Sequence, residues 1–155
     1  MDKIIVFCDG GTRNNQDPTN NVGGYGIVLQ YKGRTKEIYK GERNTTNNQQ
    51  ELKGVIVALE SIKTTHIPIA IHSDSAYVVN GITQWVKGWK KKGWKKGDGK
   101  TPENLELWKR LDELVNMQSD IVFCKVKGHS GVELNELADE LANRAMDDVE
   151  MEGLL

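Results

Sequence analysis

Cysteine is scarce in this chain, with two thiols in 155 residues, Cys8 and Cys124, each inside an apolar run that reads as a strand. That excludes a disulfide framework and a cysteine-based metal cluster, and both thiols are expected to behave as small buried hydrophobes. Histidine is equally sparse, three in all, which leaves no multi-histidine metal site. Long hydrophobic runs are missing too. The apolar stretch over residues 4–7 meets Asp9 two residues on, far too short for a signal core or a membrane span. The expected location is therefore cytoplasmic, with no membrane partner. No repeat, low-complexity block, heptad pattern or unpaired apolar stripe is visible, so a monomer is expected. Hydrophobic residues at 37% and charged ones at 28% suffice for a core and exclude a disordered tail or linker. One domain over residues 1–147 is expected, followed by a short acidic tail over 148–155.

Net charge is also small, −1 over the chain, but it is unevenly placed. Residues 87–100 hold seven lysines (87, 90, 91, 92, 95, 96, 100) against Asp98, so this segment carries +6 and leaves −7 for the rest. Trp89 and Trp94 lie within it and Trp85 just before it, with glycines at 88, 93, 97 and 99. Aromatics interleaved with lysines suit a phosphate backbone and the sugars or bases beside it. A solvated lysine face is the plainer reading of such a run. At the other end, Asp147, Asp148, Glu150 and Glu152 have no basic residue among or after them and read as a short acidic tail without a basic partner, a frayed terminus.

Residues 4–8 form a continuous apolar run ended by Gly10-Gly11, as for a strand buried on both faces. Residues 12–22, rich in Asn and Thr with Pro18, read as a loop. Residues 25–31 and 35–41 flank Lys32-Gly33 as an antiparallel hairpin. Leu52, Val55, Ile56, Leu59 and Ile62 repeat at helical spacing from Asn48 onwards. A strand over 67–72 precedes a helix from about residue 75. A helix over 102–117 opens at Pro102, a fifth strand spans 121–126, and a last helix covers 135–146. Three strands, then alternating helices and strands, predict an α/β fold with a mixed sheet and helices on its faces.

Four acids stand in suggestive places. Asp9 and Asp74 end apolar strands, the edge of an α/β sheet where ligand sites form. Glu51 and Asp139 lie on predicted helices, Glu51 four residues before Val55 and so at the edge of the apolar face. If the helices pack beside the first and fourth strands, the carboxylates converge, and such a cluster needs raised pKa values or a bound cation. Oxygen ligands favour Mg²⁺ or Mn²⁺, and two such ions about 4 Å apart are a standard device for phosphodiester hydrolysis. Each acid also has a plainer reading. Asp74 can N-cap the following helix, Glu51 can close a capping box with Asn48, Asp9-Gly10 can be a turn, and Asp139 can be a polar residue on an amphipathic helix. His129, in the glycine-flanked segment Lys127-Gly128-His129-Ser130-Gly131, is a candidate proton carrier or an inert surface side chain. The run Asn44-Thr45-Thr46-Asn47-Asn48-Gln49-Gln50 suits phosphates or sugar hydroxyls, or only caps the helix.

Taken in order, several segments are highly specific: Phe7-Cys8-Asp9-Gly10-Gly11, Gly23-Gly24-Tyr25-Gly26, Thr45-Thr46-Asn47-Asn48-Gln49-Gln50-Glu51-Leu52, Ser73-Asp74-Ser75-Ala76-Tyr77-Val78, Gly81-Ile82-Thr83-Gln84-Trp85, and Val126-Lys127-Gly128-His129-Ser130-Gly131 with Asn135 and Asp139 beyond. Together they resemble the ribonuclease H family, its bacterial type 1 branch, over nearly the whole chain. The resemblance implies a five-stranded ribonuclease H-like sheet with the first three strands antiparallel, and cutting of RNA paired to DNA, leaving 3′-hydroxyl and 5′-phosphate ends. It implies that Asp9, Glu51, Asp74 and Asp139 bind two Mg²⁺ ions, with Mn²⁺ as a possible substitute, and that His129 assists proton transfer or product release. Asn47 and Asn48 would approach the minor groove, Thr46 a DNA phosphate, and Trp85 the DNA strand. Lys90, Lys91, Lys92, Lys95 and Lys96 would supply charge from a basic protrusion. Two departures bear on substrate contacts: the long, Asn-rich segment over residues 12–22, where the family is often compact and rich in Gly and Pro, and Ala76, where a longer side chain is usual. The competing readings are a non-catalytic module that binds hybrid or duplex, and a relative that cuts DNA. Four acids facing phosphates argue against a pure binder.

Overall fold

The computed structural model describes residues 2–14, 19–127 and 132–154. Five strands, β1 (Ile4–Arg13), β2 (Val22–Tyr31), β3 (Arg34–Arg43), β4 (Ile69–Ser73) and β5 (Ile121–Lys125), form one sheet in the order β3-β2-β1-β4-β5. β1 to β3 are antiparallel, whereas β4 pairs parallel with β1 and β5 parallel with β4. This is the mixed sheet expected from the sequence. The central β1 shows why a continuous apolar run was needed: Val6 and Cys8 are buried on one face, Phe7 on the other.

β1 and β2 run further than their apolar residues suggested. Gly10-Gly11 do not end β1, which pairs on through Gly11 with Gly24 and Arg13 with Val22, because a ladder of backbone hydrogen bonds needs no side chain. The expected loop over 12–22 therefore gives up residues at both ends to strands, and residues 15–18 lie outside the described ones.

Helix α1 (Asn47–Ser61) starts at Thr46, whose hydroxyl accepts the Gln49 N–H at 3.1 Å. It buries Leu52, Val55, Ile56 and Leu59 on the same sheet face as Val6 and Cys8. A second helical run breaks into α2 (Ala76–Asn80), one π turn over Gly81–Trp85, and α3 (Val86–Lys91). Helix α4 (Leu105–Asn116) begins three residues after Pro102, so the proline precedes the helix rather than opening it. Trp108 of α4 is fully buried, its indole N–H donating to the Tyr77 hydroxyl at 3.1 Å.

Helix α5 (Glu133–Glu152) covers the opposite face, where Ala138 and Leu141 pack on Phe7 and Val28. Gly26 sets how closely it lies: a Cβ there would collide with the Ala138 carbonyl oxygen. The acidic terminal residues are not a frayed tail. α5 continues through them, and the Arg13 guanidinium pairs with Asp147 at 2.8 Å and Glu150 at 2.6 Å. That partner was invisible because it lies far away in sequence. Among the described residues no helix is long and apolar enough to cross a membrane, and both cysteines are free, Cys8 buried and Cys124 half-buried.

Candidate active site

Strand register places the first two acids. In the parallel β1/β4 pair Cys8 lies opposite Ser73, so Asp9, where β1 runs on beyond that pairing, and Asp74, just past the end of β4, lie side by side. Asp74 does not cap α2. Ser75 does, its hydroxyl accepting the Val78 N–H at 3.2 Å. Glu51 is not part of a capping box either, since the N-cap is Thr46 and the Glu51 carboxylate instead accepts the Gly10 N–H of β1 at 2.6 Å. Glycine makes this approach possible, because a Cβ on Gly10 would lie 2.7 Å from the Gln50 carbonyl carbon and 2.8 Å from the Glu51 nitrogen. One carboxylate oxygen from each of Asp9, Glu51 and Asp74 falls within 4.8 Å of the others. These three form a cluster that can hold a metal ion.

Asp139 reaches the same place from α5. It stands close enough to Asp9 to help raise that carboxyl, and the two line a cleft of about 290 Å³ together with Asp74, Asn135, Arg13 and Asn143. The electrostatics follow from this crowding. Burial first, then the charges of Asp74 and Asp139, raise the Asp9 carboxyl from 3.8 to about 7, against the opposing Gly10 N–H. Burial, with Asp9 and Asp74 beside it, holds Glu51 well above the usual carboxylate range. A hard divalent cation relieves such repulsion, and an all-oxygen donor set matches it. His129 lies outside the described residues.

The predicted nucleic-acid residues are spread over two surfaces. Thr46 and Asn47 are exposed at the start of α1, Asn47 accepting the Thr12 hydroxyl at 2.8 Å, and Asn48 is half-buried beside them. The lysine segment leaves α3 and turns back toward α4. Lys91 and Lys92 are exposed, Lys95 donates to the Thr101 hydroxyl at 3.1 Å, and Lys96 lines a groove with Trp85, Trp89 and Tyr77. Lys90 is engaged elsewhere, 3.0 Å from Asp112 of α4. Trp85 is exposed and stands against Tyr77, Trp89 and Trp108 in one aromatic cluster. Trp94 is half-buried against the core, with Lys109 over its ring. The tryptophans therefore anchor the lysine segment as well as presenting a face.

Arg13 and Asn143 line the cleft without having been singled out, and Asn135, named only among the segments that carry the resemblance, lines it with them. Arg13 also donates to the Asn143 carboxamide at 3.1 Å, and Asn143 donates to the Asp139 carbonyl at 3.0 Å. The i, i+4 spacing of Asn135, Asp139 and Asn143 on one helix is a signal for the two asparagines, whereas Arg13, on β1, has none.

An α/β sheet whose two central parallel strands bring Asp9 and Asp74 side by side, met there by Glu51 from α1, defines a candidate metal-dependent enzyme. The sequence model of the RNase H family matches residues 1–147, and the chain belongs to that family. It is 46% identical over 149 residues to the ribonuclease H of Ruthia magnifica subsp. Calyptogena magnifica, covering 96% of this chain and 99% of that one. It is 48% identical over 149 residues to the ribonuclease H of Clostridium botulinum (strain Hall), with 96% and 98% covered. Among solved structures it is similar to LC9-RNase H1, a type 1 RNase H with the type 2 active-site motif, at a TM-score of 0.84 and 32% identity, covering 96% of this chain and 74% of that one.

Proposed function

We propose that this protein is an endoribonuclease that hydrolyses the RNA strand of RNA–DNA hybrids, leaving 3′-hydroxyl and 5′-phosphate ends. The observation that carries the reading is the convergence of Asp9, Glu51 and Asp74 within 4.8 Å, on a chain whose relatives bear the name ribonuclease H. The donor set fits two Mg²⁺ ions, with Mn²⁺ as a substitute, which when bound supply an activated water and stabilise the leaving 3′ oxygen. Asp9, Glu51, Asp74 and Asp139 hold them as ligands rather than as general acids. His129 carries a proton or helps product leave.

Substrate is held from both sides of the cleft. Thr46 takes a DNA phosphate, Asn47 and Asn48 enter the minor groove, and Trp85 with Lys91, Lys92, Lys95 and Lys96 follows the DNA strand. Lys90 contributes charge once released from Asp112. Hybrid selectivity comes from groove shape and the RNA 2′-hydroxyl. We read the protein as a monomeric cytoplasmic enzyme built on one domain over residues 1–147. End-group analysis of the products tests the chemistry: fragments that ligate at the 3′ end and lose label to phosphatase at the 5′ end support it. A 3′-phosphate or cyclic phosphate contradicts it, and cutting of an all-DNA duplex points instead to a DNA-cleaving relative.

A further inference from the structure

Asn135 is a buried polar residue that the fold does not explain. It lies in the first turn of α5, four residues before Asp139, and is 5% exposed. It provides no cap for α5, whose N-cap is Val132 without a side-chain bond, and asparagine is a poor helix former. Its carboxamide oxygen is shut off from solvent and has no hydrogen-bond partner among the described residues. Buried oxygens of this kind are rare, because folding strips their water without replacing it. Yet the residue lines the cleft of Asp9, Asp74 and Asp139, whose carboxylates, once ionised around a cation, accept hydrogen bonds but cannot donate one. A divalent cation of the magnesium type keeps several of its waters when bound to carboxylates, and those polarised waters are strong O–H donors. A neutral acceptor takes a hydrogen bond from such a water without adding to the repulsion that already raises Asp9 and Glu51.

We propose that Asn135 is a positioning residue whose carboxamide oxygen accepts a hydrogen bond from the hydration shell of the bound cation. This rests on the carboxylate cluster being a cation site. The role predicts an inverted signature: removing the amide leaves the cation-free protein as stable as before, or more so, while the loaded site suffers. The test compares wild type with Asn135→Leu, which keeps the volume without the polar atoms, and Asn135→Asp, which keeps an acceptor. Calorimetric titration with Mg²⁺ alone and thermal unfolding in EDTA are measured on each. Asn135→Leu is expected to unfold in EDTA at the wild-type temperature or above it and to bind Mg²⁺ about 10-fold or more weakly, the usual cost of losing a residue that orients a metal's shell. Asn135→Asp is expected to keep wild-type Mg²⁺ affinity or better. Unchanged Mg²⁺ binding in Asn135→Leu, or a lowered unfolding temperature with or without it, overturns the proposal, as does failure of both variants to fold. If wild type itself binds no Mg²⁺, the cation-site reading falls with it, an outcome distinct from a wild type that binds and a variant that binds equally.

Discussion

Asp9 and Glu51 share one donor: the Gly10 N–H lies 2.9 Å from the Asp9 carboxylate and 2.6 Å from that of Glu51. A single backbone amide thus ties a strand acid to a helix acid, and it serves two carboxylates at once. Their carboxylates also lie within 4.8 Å of each other and of Asp74, so the site is primed by charge repulsion that a cation removes.

The clearest consequence is in the acids themselves. Asp9→Asn and Asp74→Asn each keep the shape of the side chain and remove its charge, so hybrid cleavage is expected to fall below detection while hybrid affinity stays within a few-fold of wild type. Single-turnover cleavage and fluorescence anisotropy on the same preparations check both halves. Turnover near the wild-type level in either variant removes that residue from the ligand set.

Stability should depend on pH in a direction set by Asp9. Its carboxyl is raised from 3.8 to about 7 by burial and by Asp74, so the folded protein holds a proton that the unfolded chain gives up. The associated stabilisation is fully present below about pH 4 and is lost as pH climbs through about 7. In EDTA the unfolding temperature is expected to fall over that window relative to Asp9→Asn, in which this contribution is absent, and Mg²⁺ should restore part of the loss above pH 7. Thermal scans from pH 5 to 8 with and without Mg²⁺ read this directly.

Lys91, Lys92 and Lys96 are charges of the basic segment without an ion pair among the described residues. Replacing all three by alanine should raise KM for hybrid with little change in kcat. The slope of log affinity against log salt should shrink by about one unit for each phosphate left without its lysine. Lys90→Ala, by contrast, breaks the pair with Asp112 and should lower stability by no more than about 1 kcal/mol. Salt-dependent anisotropy separates the two classes.

Gly26→Ala tests how α5 is seated. The added methyl runs into the Ala138 carbonyl oxygen, and backbone on both sides leaves little room to give. Unfolding free energy is expected to drop by about 1–3 kcal/mol, with Mg²⁺ binding weakened because Asp139 is the next residue along the displaced helix. Denaturant titration and calorimetry check the two effects together.

Much of this was legible in the chain. Residues 4–8 announced a strand buried on both faces, and Leu52, Val55, Ile56 and Leu59 announced α1, because apolar periodicity reports burial directly. The approach of the four acids was not readable from spacing. It depends on Cys8 lying opposite Ser73, on Gly10 admitting the α1 backbone and on Gly26 admitting α5, and the resemblance to a family supplied what periodicity could not. Arg13 with Asp147 and Glu150, and Lys90 with Asp112, escaped for the same reason. An ion pair between distant segments leaves no local mark on sequence. Asn135 stood among the residues that carry the resemblance but had no role assigned, because a buried amide without a partner looks on paper like any polar helix residue.

On this account the carboxylates cut RNA only when it is paired with DNA and only with a divalent cation. One 5′-labelled RNA, presented single-stranded, as RNA–RNA duplex and as RNA–DNA hybrid, each with Mg²⁺ or with EDTA, tests it most directly. Cleavage confined to the hybrid with Mg²⁺ is the predicted result. Equal cutting of single-stranded RNA, cutting of the hybrid in EDTA, or binding of the hybrid with no cutting in either Mg²⁺ or Mn²⁺ would contradict it.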